Sequence, residues 1–279
     1  MGSARGTDDV NPDAFDALSA ALTAGSRADD RLLGLVLLGS ASESGRACRD
    51  EWSDHDFFAL AHRGRGAEAR QSLEWLPDPA SRVLVAREGE IGFAVLYADG
   101  HLLEFALAEV DELSGALAGD ASVVVDDEAG SVAALIEDAR RRAEASDRFD
   151  PANDTALFLV KLMVGVGRVR RGERLNGGQF IRQWAVQHLI RAVRGRFATV
   201  STSRRDIIDP VRRFEEDFPA EGARIAEILD RPVEECARGL FDLARDVLEP
   251  GWAEFPTPAA DAVAARLGWG ADAAARGGS

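Results

Sequence analysis

The sequence predicts an α+β fold, in which a mixed β-sheet flanked by helices is followed by an all-helical bundle. Short apolar runs of strand character recur between residues 33 and 127, and tight turns join three of them. After Asp150-Pro151 the apolar residues recur at helical spacing and strand-like runs are absent. We therefore expect two domains, residues 1–149 and 150–279.

The first domain is expected to begin with a helix. Asn11-Pro12 is a typical helix start, because proline is favoured at the first helical position, and Gly25 is expected to end the helix. The elements predicted next are strands at 33–38 and 55–61, a turn or short helix at 41–53, and a helix at 66–76.

Three further strands are predicted to form two hairpins. Gly89-Glu90 and Asp99-Gly100 are short turns of the kind that join antiparallel strands. The elements predicted for this part are strands at 82–88, 91–99, 101–108 and 122–127, and helices at 110–117 and 129–147.

The second domain is expected to contain helices only. They are predicted at about 154–171, 176–196, 210–217, 221–230 and 233–248. A proline-containing connector at 249–258 then leads to a last short helix, and residues 275–279 are expected to be disordered.

The composition limits the choice of partners. With 33 basic and 48 acidic residues the net charge is −15, which disfavours nucleic acid and would attract a small cationic substrate, although acidity can also serve solubility alone. The two cysteines form no disulfide framework. Neither a secretory signal nor an apolar stretch long enough for a bilayer is present, so we expect a cytoplasmic protein without a membrane partner.

Acidic residues mark the candidate site. On a strand, Asp54 and Asp56 project from one face, roughly 6–7 Å apart, and can share hard divalent cations such as Mg²⁺. Glu104 interrupts an apolar strand, and because an unpaired charge there is costly, it should face the same cluster. Gly39-Ser40 ends the neighbouring strand with a tight turn, whose N–H groups and hydroxyl can hold a phosphate.

The order of these motifs resembles that of a known superfamily. A buried strand, Gly39-Ser40, thirteen residues, Asp54-x-Asp56 and a distal acid resemble the DNA polymerase β-type nucleotidyltransferases. The segment DEWSDHDFFAL (50–60) and the helical second half are similar to antibiotic (aminoglycoside and lincosamide) nucleotidyltransferases. The third acid is Glu104 rather than the commoner Asp, but some members that modify aminoglycosides use Glu there as the base.

The resemblance implies an enzyme that transfers AMP from ATP to a hydroxyl of a small, cationic acceptor such as an aminoglycoside. Asp54, Asp56 and the triphosphate would hold two Mg²⁺ ions, with Glu104 as base or as a further metal ligand. Gly39 and Ser40 would bind the β- or γ-phosphate, and pyrophosphate would leave.

The only lysine of the chain suggests a further nucleotide contact. Lys161 lies in a helix that is apolar nearly all round, so we predict it to be buried and to need an anion. The triphosphate is one candidate, and Arg168 lies two turns further along the same face, with Gly165 expected to leave open space between them. The alternatives are a lysine that reaches the surface or one paired with an internal acid.

Two other functions fit the same motifs. The acceptor could be a protein or a tRNA, as in toxin-type relatives, although the net charge of −15 argues against tRNA. The chain could also be a catalytically silent nucleotide-binding partner. The presence of all three acids argues against a silent module.

Overall fold

The computed structural model describes residues 12–197 and 206–269. The chain divides into two compact units, Met1–Ser146 and Asp147–Ser279. The predicted α+β class is confirmed: the first unit contains a mixed β-sheet flanked by helices, and the described part of the second is helical. Asn11 and the tail at 275–279 lie outside the described residues.

The first unit is built on one sheet of six strands with the order β3-β4-β5-β2-β1-β6. Strands β2 and β5 are parallel, and all other neighbours in the sheet are antiparallel. The first residues of β2 and β5 therefore lie side by side at the same end of the strands. The strands are β1 (Leu32–Leu38), β2 (His55–Ala61), β3 (Arg82–Glu88), β4 (Gly92–Tyr97), β5 (Leu102–Glu109) and β6 (Ala121–Val125).

Helices cover both faces of this sheet. Helix α1 (Pro12–Ala28) contributes Phe15 and Leu22 to a core that includes Phe57 and Phe105. On the other face, helix α3 (Ser131–Ser146) packs Val132, Leu135 and Ile136 against Val36 and Leu60. Alternate residues of β1, β2 and β5 thus enter different cores, as the two-residue period of a strand requires.

Three local predictions for this unit were wrong. Helix α1 continues past Gly25, where a Cβ would lie 2.0 Å from the backbone oxygen of Trp75. Gly25 therefore permits a close approach of two backbones and does not end the helix. Only α2 (Gly66–Ala69) is helical in the predicted helix 66–76; residues 70–76 form turns and irregular structure, within which Trp75 and Leu76 are buried. Residues 110–115 form turns, and no part of the predicted helix 110–117 is helical.

The described part of the second unit consists of helices around a single apolar core. The first of these helices starts at Pro151, where the Asp150 side chain accepts a hydrogen bond from the N–H of Asn153. The helices are α4 (Pro151–Arg170), α5 (Arg174–Gln179), α6 (Val186–Arg196), α7 (Phe214–Asp217), α8 (Pro219–Leu229), α9 (Val233–Leu248) and α10 (Thr257–Leu267). A π-helical segment, Phe180–Ala185, joins α5 to α6. No described helix is long and apolar enough to cross a membrane.

Helices α4 and α5 approach each other closely at two glycines. A Cβ at Gly177 would lie 2.7 Å from the backbone oxygen of Gly165 and 2.6 Å from a methyl carbon of Val169. We expect Gly177→Ala to lower the free energy of unfolding by about 1–3 kcal/mol, as overpacking does. Gly178→Ala is the matched control, because a Cβ there meets no atom within 4 Å. Chemical denaturation should show the loss for Gly177→Ala only, and equal stability of the two variants would contradict this packing.

Candidate functional site

Three carboxylates meet at the end of the sheet where the central strands β2 and β5 begin. Asp54 directly precedes β2, Asp56 is its second residue, and Glu104 lies in β5 as the direct register partner of Asp56. Each contributes one carboxylate oxygen to a group whose members all lie within 4.8 Å of one another. Asp54 and Asp56 are half-buried and Glu104 is exposed. The structure therefore brings together the three acids that the sequence singled out.

The donor chemistry of this cluster fits Mg²⁺. Carboxylate oxygens are hard ligands, and Mg²⁺ is usually held in proteins by one or two carboxylates together with phosphate oxygens and water. Within residues 12–197 and 206–269, no side chain forms an ion pair with the carboxylates of Asp54 and Glu104. Like charges this close repel one another, so a bound cation would stabilise the cluster.

A histidine pair, in which the His55 ring is fully buried and the His101 ring half-buried, links the strand ends that carry the carboxylates. His55 is fully buried, stacks on Phe15 with ring centroids 3.8 Å apart, and lies on the sheet face opposite the carboxylates. Its Nδ1 is 2.7 Å from Nε2 of His101, and its Nε2 is 2.9 Å from Oγ of Ser19. Burial lowers the pKa of His55 to about 3 and also lowers the pKa of His101. Both rings are therefore neutral at pH 7, and each can donate one hydrogen bond and accept one.

The predicted Gly39-Ser40 turn lies beside the carboxylates. Gly39 has a φ of +49°, which favours glycine, and a Cβ there would lie 3.7 Å from Oδ2 of Asp56. The Ser40 hydroxyl donates to the backbone oxygen of Asp54 at 3.1 Å. In this conformation the Ser40 hydroxyl links the turn to the start of β2.

Sequence reasoning missed the residues that support this turn. Ser42 is fully buried; its hydroxyl donates to the Gly39 carbonyl at 2.7 Å and accepts from the N–H of Gly45 at 3.0 Å. A Cβ at Gly45 would lie 1.9 Å from the Gly39 oxygen, so only glycine fits there. The sequence of residues 39–45, Gly-Ser-Ala-Ser-Glu-Ser-Gly, contained a signal for this close-packed turn, because small residues occupy almost all of it.

Arg49 was also missed, and it places a positive charge beside the turn. Its Nε donates to the Ser40 carbonyl at 3.1 Å and its Nη1 to Asp16 at 2.8 Å, while its Cζ lies 3.9 Å from the centroid of the Phe15 ring. The hydrogen bond from Arg49 holds the pKa of Asp16 below its usual value, and the charge of Arg46 adds to this effect. The turn thus has a fixed backbone position and a cationic neighbour.

The prediction that Lys161 is buried was wrong. Its side chain is half-buried, and Val160 and Met163 of the same helix are 46% and 39% exposed. Helix α4 therefore presents apolar residues to solvent, and its apolar surface does not imply burial on every side.

Lys161 instead belongs to a cation–aromatic patch formed by Lys161, Arg168, Phe180 and Trp184. The lysine Nζ lies 5.7 Å from the ring centroid of Phe180 and 5.6 Å from that of Trp184, and Cζ of Arg168 lies 4.4 Å from the Phe180 centroid. The two rings meet edge-on at 4.2 Å. Both rings are half-buried and contact the cations.

The backbone beneath this patch departs from the prediction in two ways. Phe180 and Trp184 lie on the π-helical segment, a rare conformation that is frequent at functional sites. Gly165 was expected to leave open space, yet a Cβ there would lie 2.7 Å from a side-chain carbon of Ile181. The glycine allows close packing of α4 against the π-helical segment.

A groove of about 710 Å³ lies at the other end of the same strands. It is lined by Ala61 and Glu109, the last residues of β2 and β5, and by Arg142 of α3. The carboxylate cluster lies at the opposite ends of these strands, so the groove is not part of the site formed by the carboxylates.

Comparison with known proteins shows a distant structural likeness. No family model matches the chain, and no curated protein matches its sequence. Among solved structures, the chain is similar to an aminoglycoside 6-adenyltransferase from Bacillus subtilis, at 14% identity over 90% of each chain and a TM-score of 0.29. A likeness this distant does not assign an activity to the chain.

Proposed function

We propose that this protein is a nucleotidyltransferase that transfers a nucleoside monophosphate, AMP from ATP, to a hydroxyl of a small cationic acceptor such as an aminoglycoside. The observation that carries the proposal is the carboxylate cluster of Asp54, Asp56 and Glu104 beside the Gly39-Ser40 turn. Acids clustered beside a tight turn suit the binding of a metal-complexed triphosphate.

The three acids would have different tasks. Asp54 and Asp56, half-buried and adjacent, would hold two Mg²⁺ ions, which when bound neutralise charge on the triphosphate. Glu104 is the exposed member and lies level with Asp56. It is therefore the best placed to receive the proton of an incoming hydroxyl, in addition to any contact with metal.

Four residues would bind the phosphates. Gly39 brings the backbone close to the carboxylates, and Ser40 could donate to a phosphate once its hydroxyl rotates away from the Asp54 carbonyl. Lys161 and Arg168 carry positive charges on the cation–aromatic patch, and we propose that they contact the nucleotide as well. Arginine and lysine are the usual partners of phosphate groups in proteins.

Two features favour a small cationic acceptor. The net charge of −15 attracts cations and repels polyanions such as tRNA. Trp52, two residues before Asp54, is 85% exposed, and a flat apolar ring at this position could support a sugar or amine ring of the acceptor.

Pyrophosphate release tests the proposal. The purified chain would be incubated with ATP and Mg²⁺ in the presence of aminoglycosides, lincosamides, tRNA or candidate proteins. We expect Mg²⁺-dependent release with one or more cationic small molecules and none with tRNA. Release only with tRNA or protein would support the toxin-type alternative. If none of these acceptors gives release, a silent nucleotide-binding module would be favoured.

Lys161 can be tested separately from the carboxylates. We expect Lys161→Ala to weaken the binding of ATP–Mg²⁺ by about 1.5–3 kcal/mol, the contribution of a hydrogen bond to a charged group. Stability without nucleotide should fall by no more than about 1 kcal/mol, because a partly exposed cation–π contact contributes little. Calorimetric titration and thermal unfolding with and without ATP–Mg²⁺ measure the two effects.

Two variants serve as controls for this experiment. Lys161→Arg keeps the charge and should retain most of the affinity, whereas Arg171→Ala removes an exposed charge at the end of α4 and should leave nucleotide binding unchanged. Unchanged affinity in Lys161→Ala would remove the lysine from the proposed nucleotide site.

A further inference from the structure

Phe15 of helix α1 lies between two planar groups. The guanidinium of Arg49 lies over the ring, with its Cζ 3.9 Å from the ring centroid, and the imidazole of His55 stacks on the ring with centroids 3.8 Å apart. Two planar groups this close to one centroid would overlap if they shared a face, so they occupy opposite faces of Phe15. Because Phe15 is only 3% exposed, its enclosed ring fixes the distance between Arg49 and His55.

Arg49 connects this stack to the Gly39-Ser40 turn. Its Nε donates to the Ser40 carbonyl at 3.1 Å, and its Nη1 donates at 2.8 Å to Asp16, the residue after Phe15 in α1. The Arg49 side chain is 10% exposed, because the Phe15 ring covers one face and hydrogen bonds engage its edge. The turn is thereby attached to the start of α1.

His55 connects the same stack to the carboxylates. It is the first residue of β2 and directly follows Asp54, which lies outside the pairing of β2 with β5. Its Nε2 is 2.9 Å from Oγ of Ser19 in α1, and its Nδ1 is 2.7 Å from Nε2 of His101, which directly precedes β5. Since the strand pairing begins at His55, the position of Asp54 depends on the contacts that hold His55 and on the hydrogen bond from Ser40.

We propose that Phe15 and His101 are positioning residues for the nucleotidyl transfer proposed above. The inference rests on that function, because a metal-complexed triphosphate would have to meet the turn and the carboxylates together, and these groups come from separate segments of the chain. Arg49, Phe15, His55 and His101 form a continuous series of contacts between those segments, which we call the brace. The brace would hold the spacing that metal and nucleotide require without contacting either of them.

Hydrogen bonds give the brace a precision that apolar packing alone lacks. His101 lies edge-on to His55, with ring centroids 4.9 Å apart, and edge-on to Phe15 at 5.8 Å. An apolar side chain could fill the space of His101, but it would leave Nδ1 of the buried His55 without this partner and would allow the ring to shift. A shift of His55 also moves Asp54, and a misplacement of about 1 Å in a site can cost about 10²-fold in rate.

Substitution of His101 tests the outer end of the brace. Mn²⁺ replaces Mg²⁺ as a spectroscopic probe, and its dissociation constant for the free protein is measured together with pyrophosphate release. We expect His101→Leu to raise this constant by about tenfold or more and to lower turnover by about 10–100-fold, the usual range for residues that orient metal ligands. His101→Gln keeps a nitrogen donor near His55 and should bring both values to within about threefold of wild type. His62→Leu is the control, because it removes an exposed histidine at the other end of β2 and should change neither value.

Substitution of Phe15 tests the centre of the brace. Phe15→Leu keeps an apolar side chain but removes both stacking faces, and we expect it to weaken the binding of Mn²⁺ and of ATP–Mg²⁺ by about tenfold each. Phe93→Leu is the matched control, because Phe93 is buried in the same core at 4% exposure but stacks on Phe105 instead of His55. Both variants should lose stability, so binding is compared at a temperature at which circular dichroism shows both to be folded. We expect Phe93→Leu to bind both ligands as the wild type does.

The outcomes of these measurements distinguish the brace from the proposed function. Normal Mn²⁺ affinity in folded His101→Leu and Phe15→Leu, or equal losses in His101→Leu and His101→Gln, would overturn the positioning role and leave the proposed nucleotidyl transfer standing. Weaker Mn²⁺ binding in His101→Leu and Phe15→Leu but not in their controls, without pyrophosphate release from the wild type, would support the positioning of the metal site and overturn the proposed transfer. A wild-type chain that neither binds Mn²⁺ nor releases pyrophosphate would overturn both.

Discussion

Asp56→Asn is expected to abolish nucleotidyl transfer while the fold is retained. Asp56 sits at the centre of the cluster, level with Glu104 across β2 and β5 and 3.7 Å from the position of a Cβ on Gly39. An amide at this position removes one of the two charges proposed to hold Mg²⁺, and we expect a rate loss of about 10³-fold or more. Initial rates with saturating ATP and Mg²⁺ measure it.

A second readout separates metal binding from catalysis. Mn²⁺ can replace Mg²⁺ as a spectroscopic probe, and its binding to the free protein should weaken in Asp54→Asn and Asp56→Asn alike. Glu51→Gln makes the same change of charge three residues from Asp54 on an exposed side chain, and we expect it to bind Mn²⁺ and to turn over normally. A rate within a few-fold of wild type in Asp56→Asn would contradict the proposed role of the cluster.

Removing one acid should also change stability in a definite direction. Because three carboxylates crowd within 4.8 Å, Asp54→Asn should raise the melting temperature in the absence of divalent cations. Added Mg²⁺ should stabilise the wild type more than this variant, since ligands stabilise the state that binds them. Thermal unfolding with and without Mg²⁺ measures both effects, and a variant that melts lower without metal would argue for a purely structural Asp54.

Glu104→Gln is expected to lower turnover by about 10²–10⁴-fold, the usual cost of losing a general base. Glu104 is the exposed acid of the cluster, so its carboxylate is open to an acceptor hydroxyl. If proton removal is its main task, affinity for nucleotide and for Mn²⁺ should be retained. If it is chiefly a metal ligand, both affinities should fall together with the rate.

Glu90→Gln provides a matched control for Glu104→Gln. Glu90 is an exposed acid in the β3–β4 turn, away from the cluster, and its replacement should leave turnover and affinity unchanged. An unchanged rate in Glu104→Gln would exclude Glu104 as the general base, and the base would have to be another group.

The cluster could be predicted from the sequence because its geometry follows from regular structure. Asp54 and Asp56 share a face since side chains alternate along a strand, and a single acid in an apolar strand identified Glu104. The sequence did not predict that β2 and β5 are parallel and in register at Asp56 and Glu104. That pairing depends on contacts between segments distant in the chain, which local patterns do not encode.

The wrong predictions also concern contacts and exposure that local sequence patterns do not encode. Gly25 and Gly165 were taken as a helix end and an open space, but each faces a neighbouring segment at a distance that leaves no room for a Cβ. The apolar character of α4 led to the prediction that Lys161 is buried. That prediction failed because composition alone cannot distinguish a covered apolar face from an exposed one. The π-helical segment that carries Phe180 and Trp184 has no marker in the hydrophobic period.

Isotope labelling of ATP tests the central proposal most directly. The chain would be incubated with Mg²⁺, an acceptor identified by pyrophosphate release, and ATP carrying radioactive phosphorus at either the α- or the γ-position. We predict that the α-label joins the acceptor, that the γ-label leaves as pyrophosphate, and that Asp56→Asn abolishes both. Transfer of the γ-label to the acceptor would show phosphoryl transfer instead, and would contradict the assignment of this carboxylate cluster to nucleotidyl transfer.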